Sequence, residues 1–400
     1  MRKEVYIVII LLALIAVCLL LAFWACIAGP KKVKRLFKIL TFASLGPAAL
    51  LLGAERPIDA VAVPELLSYI RSRTPRRMLG DILFPAKDIT GLDWKAVIGA
   101  NRLPVAAKVV AFNQEASIAS REGIEMQAGK IVPIKRKITI DEETMQKLYT
   151  PRPNTSELDD AIAEIYNDTE NMITAVETKI EAIRWEIIST GRLMLDEDGI
   201  VQQVEFGFNP LTQSQTLVGN ALWSATATST PIADMIRWRN SIVNRTGVRP
   251  GRAVTSETNL AWILQSAEVN TLVHGTLGAG LPVTEAQLQQ LLQTQGLPPI
   301  VTYDDQYRVQ NENGTYTQLR YLPEDLFVMM PGTKLGDQLY SPTVEALKKV
   351  RKGVINYGDA RRIYAEVWEE NEPPAHWTKA AALTFPTCPL IDSIFIADVW

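Results

Sequence analysis

The longest regular alternation of apolar and polar positions in the chain lies between Leu158 and Ile187. Apolar residues recur there at intervals of three and four, and acidic and amide residues occupy many positions between them. This spacing predicts an amphipathic helix. Capping residues at 154–156 (Asn-Thr-Ser) mark its start, and a Thr-Gly pair at 190–191 marks its end. At 1.5 Å per residue the helix is about 50 Å long. Such a length suits a component of an assembly better than the middle of a compact domain.

Two turn signals and one strand-rich region predict β-hairpins. Apolar runs flank the turn at Asp198-Gly199, directly after the helix, and Asn311–Gly314 provides a second turn. The region Asp93–Ile140 is rich in strand patterns, but its middle, Glu115–Lys130, is polar and has no core pattern. A long hairpin with a poorly buried tip is unfavourable in a monomer. We therefore expect this tip to lie over another subunit.

Helices and short strands alternate through the second half of the chain, which indicates an α/β or α+β domain of roughly 120 residues. The predicted helices are Pro231–Arg245, Glu257–Ala267 and Glu285–Thr294, and the predicted strands are Arg252–Val254, Pro299–Tyr303 and Leu326–Met330. A polar stretch around Ser341–Thr343 follows. The remaining apolar segments are Arg361–Trp368, Ala380–Thr384 and a strand-like tail at Ile391–Val399.

The first 56 residues differ from the rest in charge and hydropathy, with a net charge of +6 against −9 for the remainder. Val5–Ala28 contains 24 residues without a charge, about 36 Å as a helix and enough to cross a bilayer. Five cations at 31–38 follow it, which would keep the downstream chain in the cytoplasm. The alternative is a misplaced start or a gene fusion, although no methionine lies between Met1 and Met78.

Composition and motifs argue against several functional classes. The acidic remainder disfavours a nucleic-acid reader that works by neutralising phosphates. The three cysteines and two histidines form no disulfide framework, zinc spacing or nucleophile pattern. The glycine-rich Gly275–Gly280 follows a helix, so we interpret it as a connector and not as a dinucleotide loop. We predict no catalytic, metal or cofactor-binding residues, and an enzyme is the weakest alternative.

Four stretches together resemble the major capsid protein E family of tailed phages, over about Pro57–Trp400. They are Met78–Pro85 (Met-Leu-Gly-Asp-Ile-Leu-Phe-Pro), a strand-rich arm with Ile131–Ile140, the helix end Glu181–Arg192, and the Asp198-Gly199 hairpin that ends at Phe208. The resemblance implies an α+β fold of the Hong Kong 97 type, preceded here by an amino-terminal hydrophobic helix that the family pattern lacks. The implied divisions are 1–56, a transmembrane segment and basic linker; 57–92, an N-terminal arm; 93–150, an extended β-hairpin loop; 151–229, a peripheral domain with the long spine helix and hairpin; 230–345, an axial domain; and 346–400, a return to the peripheral domain.

The function implied by the resemblance is that of a major head protein of a double-stranded DNA phage or prophage. Hexamers and pentamers of the chain would form an icosahedral shell that encloses DNA without sequence-specific binding, in the virion and the host cytoplasm. Scaffold, portal and decoration proteins are the expected further partners, and Val5–Ala28 predicts a membrane association. Two alternatives remain, a cellular encapsulating shell of the same fold and a membrane-anchored binding protein. The predicted charged contacts between subunits are Arg121, Glu122, Lys135, Arg136 and Lys137.

Overall fold

The computed structural model describes residues 78–97, 112, 126–140, 155–197, 200–276, 281–311, 313–347, 354–360, 362–372 and 374–400. The predicted transmembrane segment Val5–Ala28 and the predicted contact residues Arg121 and Glu122 lie outside this set. Within it, no helix is both long enough and apolar enough to span a bilayer. Val63–Glu142 and Ala163–Trp400 form one compact unit, and every side-chain contact discussed below lies within it. Met1–Ala62 and Glu143–Ile162 form a second unit, of which the described residues are 155–162.

The described part of the chain contains helices and strands in a mixed order, which makes it an α+β protein. The α-helices are α1 (Leu79–Leu83), α2 (Thr155–Thr190), α3 (Pro210–Gln213), α4 (Pro231–Thr246), α5 (Glu257–Gln265), α6 (Ala267–His274), α7 (Glu285–Thr294) and α8 (Val344–Leu347). The strands before α5 are β1 (Ala86–Asp88), β2 (Asp93–Val97), β3 (Met126–Lys130), β4 (Val132–Ile140), β5 (Arg192–Glu197), β6 (Ile200–Glu205), β7 (Ser214–Thr216) and β8 (Arg252–Thr255). The later strands are β9 (Ile300–Thr302), β10 (Gln306–Gln310), β11 (Tyr316–Arg320), β12 (Leu326–Met330), β13 (Asp337–Ser341), β14 (Val354–Ala360), β15 (Ile363–Asn371), β16 (Pro374–Thr387) and β17 (Phe395–Asp398).

The predicted long helix is confirmed: α2 has 36 residues, about 54 Å of axis. It ends because Gly191 has a left-handed backbone with φ of 72°, which glycine adopts without steric cost. A Cβ at this position would lie 2.3 Å from Cβ of Phe208, so glycine is also required for space. The predicted hairpin follows at once, with β5 and β6 paired antiparallel from Arg192 opposite Glu205.

A six-stranded sheet is built around β16, the 14-residue strand of the structure. β4 pairs with it in antiparallel fashion over nine positions. β13 and β15 are also antiparallel partners of β16, β1 adds to β13 in parallel, and β14 adds to β15. β2 and β3 form a separate antiparallel pair, and β4 follows, so the region predicted to be rich in strands, Asp93–Ile140, contains three of them.

A five-stranded sheet has the order β7-β17-β12-β8-β9. Alternate residues along its strands enter two different apolar cores, as the period-two geometry of a strand requires. Phe327 and Met329 pack with α4, α5 and α7 around the buried Trp223 and Trp238. Val328 and Met330 instead join the core that contains the last turns of α2. The sheet therefore lies between the helical layer and the long helix.

Several later elements also confirm their predictions, including α4, α7, β8, β9 and β12. The predicted helix Glu257–Ala267 is two helices, because Ser266 leaves the helical conformation between α5 and α6. The polar stretch around Ser341–Thr343 begins at the last residue of β13, and β16 is longer than the predicted apolar segment Ala380–Thr384. The domain boundaries derived from the family resemblance stay a prediction.

Candidate functional site

The carboxylate of Glu181 is fully buried. It belongs to the last turns of α2, where Ile183, Trp185, Ile187 and Ile188 are also buried. These apolar side chains point in several directions around the helix axis, so the turns are enclosed on more than one side. A charged residue within such turns cannot reach solvent, and its partners have to come from the protein.

Four donors satisfy this carboxylate. Its Oε1 accepts hydrogen bonds from the backbone N–H of Gly80 at 2.9 Å, the indole N–H of Trp185 at 2.8 Å and the hydroxyl of Tyr303 at 3.0 Å. Its Oε2 accepts from the guanidinium of Arg184 at 3.0 Å. Burial, together with the neighbouring Glu181 charge, raises the pKa of Tyr303, so this phenol stays protonated and continues to donate.

Arg184 extends the cluster to the six-stranded sheet. Its Nη1 donates to Asp81 at 2.7 Å and its Nε donates to Gln338 of β13 at 2.9 Å. Gln338 in turn donates to the hydroxyl of Thr384 on β16 at 2.8 Å. Burial opposes the charge of Arg184, but the carboxylates of Glu181 and Asp81 outweigh it and raise the pKa of the guanidinium. The cation is thus compensated on two sides.

Close packing completes the arrangement. A Cβ on Gly80 would lie 2.2 Å from Oε2 of Glu181, so only glycine allows the backbone N–H to approach the carboxylate.

Tyr303, which follows β9, stacks on Trp185 with ring centroids 4.4 Å apart. Tyr307 stacks on Tyr321 at 4.7 Å, and Tyr321 lies beside Tyr303 at 6.1 Å. The aromatic contacts therefore continue to the base of the β10–β11 hairpin.

We name this cluster the polar joint, defined by Gly80, Glu181, Arg184, Tyr303 and Gln338. It connects the segment Met78–Pro85, the long helix and both sheets through groups that are distant in the chain. Its charges are compensated and hydrogen-bonded, and removing one member of such a buried pair typically costs about 3 to 5 kcal/mol. This chemistry holds segments in one relative position. Sequence reasoning did not assign a role to these residues. The available signal was a Glu and an Arg inside apolar helical turns.

The predicted contact residues of β4 are not part of the polar joint. Lys135 forms an ion pair with Glu345 of α8 at 2.7 Å and keeps 44% of its side chain exposed. Arg136 donates to Gln310 at 3.4 Å, and the ammonium of Lys137 lies 4.4 Å from the ring centroid of Trp377. The three cations therefore have partners within the chain while their strand remains exposed. Their role between subunits is still a prediction.

Glu345 is the most strongly perturbed carboxylate near β4. Burial works against its charge, but hydrogen bonds from Lys135 and Lys379 hold the pKa of Glu345 at about 2. Lys379 also contacts Glu366 at 3.3 Å. These ion pairs attach α8 to β4, β15 and β16.

Within the described part of the chain, no group of three or more His, Cys, Asp or Glu side chains is placed to hold a metal ion. Cys388 is buried, and burial raises the pKa of its thiol.

A family profile matches most of the chain. The profile described as phage major capsid protein E matches residues 62–399. The chain belongs to this family. It is a phage major capsid protein, and the two stretches Met78–Pro85 and Glu181–Arg192, which carried the resemblance in sequence, meet in the polar joint. No curated protein matches the chain.

The fold of this capsid protein is supported by one solved structure, and a second is similar at a lower score. A prophage capsid protein of Escherichia coli is 16% identical, with a TM-score of 0.55, and the match covers 84% of this chain and 99% of that one. A phage-related protein of Bordetella bronchiseptica is 14% identical with a TM-score of 0.49, covering 84% and 96% of the two chains. The described residues thus adopt the mixed α+β fold of Hong Kong 97-type capsid proteins.

Proposed function

We propose that the chain assembles with copies of itself into hexamers and pentamers of an icosahedral head that encloses double-stranded DNA. Membership of the capsid family over residues 62–399 carries this proposal. Individual contacts between subunits are weak, and closure of a symmetric shell multiplies them. A shell of defined size needs subunits of one shape. The polar joint supplies this rigidity, because it connects the long helix to both sheets through buried, satisfied charges.

The charge of the chain fits enclosed DNA that is not bound by sequence. Residues 57–400 carry a net charge of −9, and like charges repel the phosphate backbone at short range. Tight binding through many phosphate contacts would require a basic surface. Packaged DNA would therefore slide along the shell wall, which suits rapid filling and release.

The extended loop is the proposed contact between neighbours. Val97 at the end of β2 lies opposite Met126 at the start of β3. The 28 residues between them therefore connect two adjacent strand ends. This connection contains Arg121 and Glu122, and the exposed β4 continues from β3. We propose that these two residues, with Lys135, Arg136 and Lys137, form charged contacts to the adjacent subunit.

Electron microscopy and sedimentation of the purified full chain test this function. Closed shells or capsomer rings are the expected products, and a monomer at high concentration would contradict self-assembly. The double variant Arg136→Glu and Lys137→Glu should lose assembly while its melting temperature stays within a few degrees. Arg249→Glu, at an exposed site after α4, is the matched charge reversal and should assemble normally.

The cargo distinguishes a phage head from a cellular compartment shell of the same fold. A head protects double-stranded DNA from added nuclease, and its gene lies beside genes for a terminase and a portal. A compartment shell instead contains enzyme. Scaffold, portal and decoration proteins are proposed further partners, to be identified by co-purification with the particles.

The proposed membrane association depends on Val5–Ala28. Carbonate extraction of membranes from cells that express the full chain tests it, with Leu12→Arg as the variant that should release the protein. If carbonate already extracts the unsubstituted chain from the membranes, Val5–Ala28 does not anchor it.

A further inference from the structure

The tip of the β10–β11 hairpin contains a chemically reactive pair of residues, Asn313 and Gly314. It is the single Asn-Gly pair in the 400-residue sequence. Both residues are exposed, so water and hydroxide ions reach them. Glycine has no side chain, so its peptide nitrogen is open to a close approach by the preceding side chain. The amide carbon of Asn313 and the nitrogen of Gly314 can therefore meet without a steric obstacle.

The structure folds the side chain of Asn313 back over its own backbone. Its Oδ1 accepts a hydrogen bond from the backbone N–H of Thr315 at 3.1 Å. This bond closes an Asx-turn, a ring of atoms that includes both Cγ of Asn313 and the peptide nitrogen of Gly314. An electrophilic carbon and a nucleophilic nitrogen are thus held in one short loop of chain.

Two donors polarise the side-chain amide of Asn313. Besides the backbone N–H, the hydroxyl of Thr315 donates to the same Oδ1 at 2.6 Å. A backbone N–H can only donate, so the Asn313 atom that faces it is the oxygen and not the amide nitrogen. Donors on a carbonyl oxygen stabilise the negative charge that develops there when a nucleophile attacks the carbon. The site is exposed to water, so this effect is smaller than in a buried active site.

Neighbouring hydrogen bonds fix the orientation of the Thr315 hydroxyl. The side-chain amide of Asn311 donates to Oγ1 of Thr315 at 2.9 Å, so the hydroxyl proton is left to point at Asn313. The backbone N–H of Gly314 donates to the carbonyl of Asn311 at 2.9 Å. This turn bond has to open before the nitrogen attacks, and exposed hairpin tips open at a low cost in free energy.

We propose that Asn313 is a site of spontaneous modification, at which the side chain cyclises with Gly314 and is converted to aspartate and isoaspartate. Hydroxide removes the proton of the Gly314 amide, and the nitrogen attacks Cγ of Asn313. The bond from the nitrogen to Cγ forms, the bond from Cγ to Nδ2 breaks, and ammonia leaves with a proton taken from water. Water then opens the succinimide at either of its carbonyls. The net reaction consumes one water molecule and releases one ammonia.

The reaction changes the charge and the backbone of the hairpin tip. Aspartate adds a negative charge next to Glu312 in the chain, and isoaspartate also inserts a methylene group into the main chain. Gln310, at the end of β10, accepts a hydrogen bond from Arg136 of β4, so the change occurs close to a contact between the hairpin and β4. The reaction needs a single chain and does not depend on the proposed assembly.

Peptide mapping by mass spectrometry tests the proposal on the full chain after incubation in mildly alkaline buffer. The summed fraction of aspartate and isoaspartate at position 313 should exceed the fraction at position 240 at least tenfold. Asn240 is the internal control, because it is exposed and precedes the small Ser241 but lies within α4. Equal fractions at the two positions, or an unmodified Asn313, would overturn the proposal. Aspartate without isoaspartate would also overturn it, because direct hydrolysis of the side-chain amide gives aspartate alone.

Two variants that each lack one hydroxyl test the part played by Thr315. Thr315→Val and Thr317→Val both remove an oxygen that accepts from Asn311, and the Thr315 hydroxyl in addition donates to Asn313. Thr315→Val should slow the modification of Asn313 at least threefold, and Thr317→Val should leave its rate unchanged. Equal rates in the two variants would contradict the role assigned to the Thr315 hydroxyl.

Discussion

Replacement of Glu181 by glutamine tests whether the polar joint supports the fold. The carboxylate accepts four hydrogen bonds, three at Oε1 and one at Oε2. An amide has one acceptor oxygen and directs an NH₂ group at the other donors. Either Arg184 or the three remaining donors then lose their partner. A hydrogen bond to a charged group contributes about 1.5 to 3 kcal/mol. Breaking a buried ion pair costs about 3 to 5 kcal/mol.

We expect Glu181→Gln to lower the free energy of unfolding of the unassembled subunit by about 3 to 5 kcal/mol, a large share of the roughly 5 to 15 kcal/mol of a typical domain. Urea unfolding followed by circular dichroism at 222 nm measures this change. The denaturant slope should stay constant, because the same surface is exposed. Glu372→Gln, in the exposed turn after β15, is the control and should change the value by less than about 0.5 kcal/mol.

A double-mutant cycle with Tyr303 tests how much of the lost stability comes from the hydrogen bond between Tyr303 and Glu181. Tyr303→Phe removes one donor, keeps the ring stacked on Trp185, and should cost about 1 to 3 kcal/mol. The destabilisation of the double variant Glu181→Gln and Tyr303→Phe should be smaller than the sum of the two single destabilisations by about 1 kcal/mol or more. The reason is that the two groups share a hydrogen bond. A loss below about 1 kcal/mol for Glu181→Gln, or strict additivity in the cycle, would refute the role assigned to the joint.

Three further predictions concern other parts of the fold. Gly191→Ala should lower stability by about 2 to 4 kcal/mol in thermal unfolding, because of the left-handed backbone and the contact with Phe208; unchanged stability would contradict both causes. Glu345 has a folded pKa of about 2, below its usual value of about 4.3, so its stabilisation is present above pH 5 and is lost as pH falls towards 2; Glu345→Gln should flatten the melting temperature over this range. Cys388, buried with a raised pKa, should react with a thiol reagent only in denaturant, and rapid labelling of the folded chain would contradict its burial.

Local periodicity was sufficient for the elements whose pattern is continuous in the chain. The 3.6-residue spacing of apolar positions predicted α2, and the Asp-Gly and Asn-Gly pairs predicted the turns of the β5–β6 and β10–β11 hairpins. These features depend on neighbours within one or two turns of chain. The family resemblance rested on the same local stretches, and the match over residues 62–399 confirms it.

Other elements were missed because their stability comes from pairing partners far away in sequence. β13 was not predicted as a strand, because β1 and β16 supply its hydrogen bonds. The full length of β16 was also missed, because three different strands pair along it. Strand propensity is weak relative to such pairing, so tertiary context decides these segments.

The sequence by itself determined the long helix, the two hairpins, the α+β class and the capsid family. Only the tertiary structure placed Gly80, Glu181, Arg184, Tyr303 and Gln338 in one buried cluster. The physical reason is that a buried charge is tolerated only where donors converge on it, and the donors to Glu181 come from segments up to 223 residues apart in the chain. Periodicity reports which face of an element is buried. It does not report which distant groups meet there.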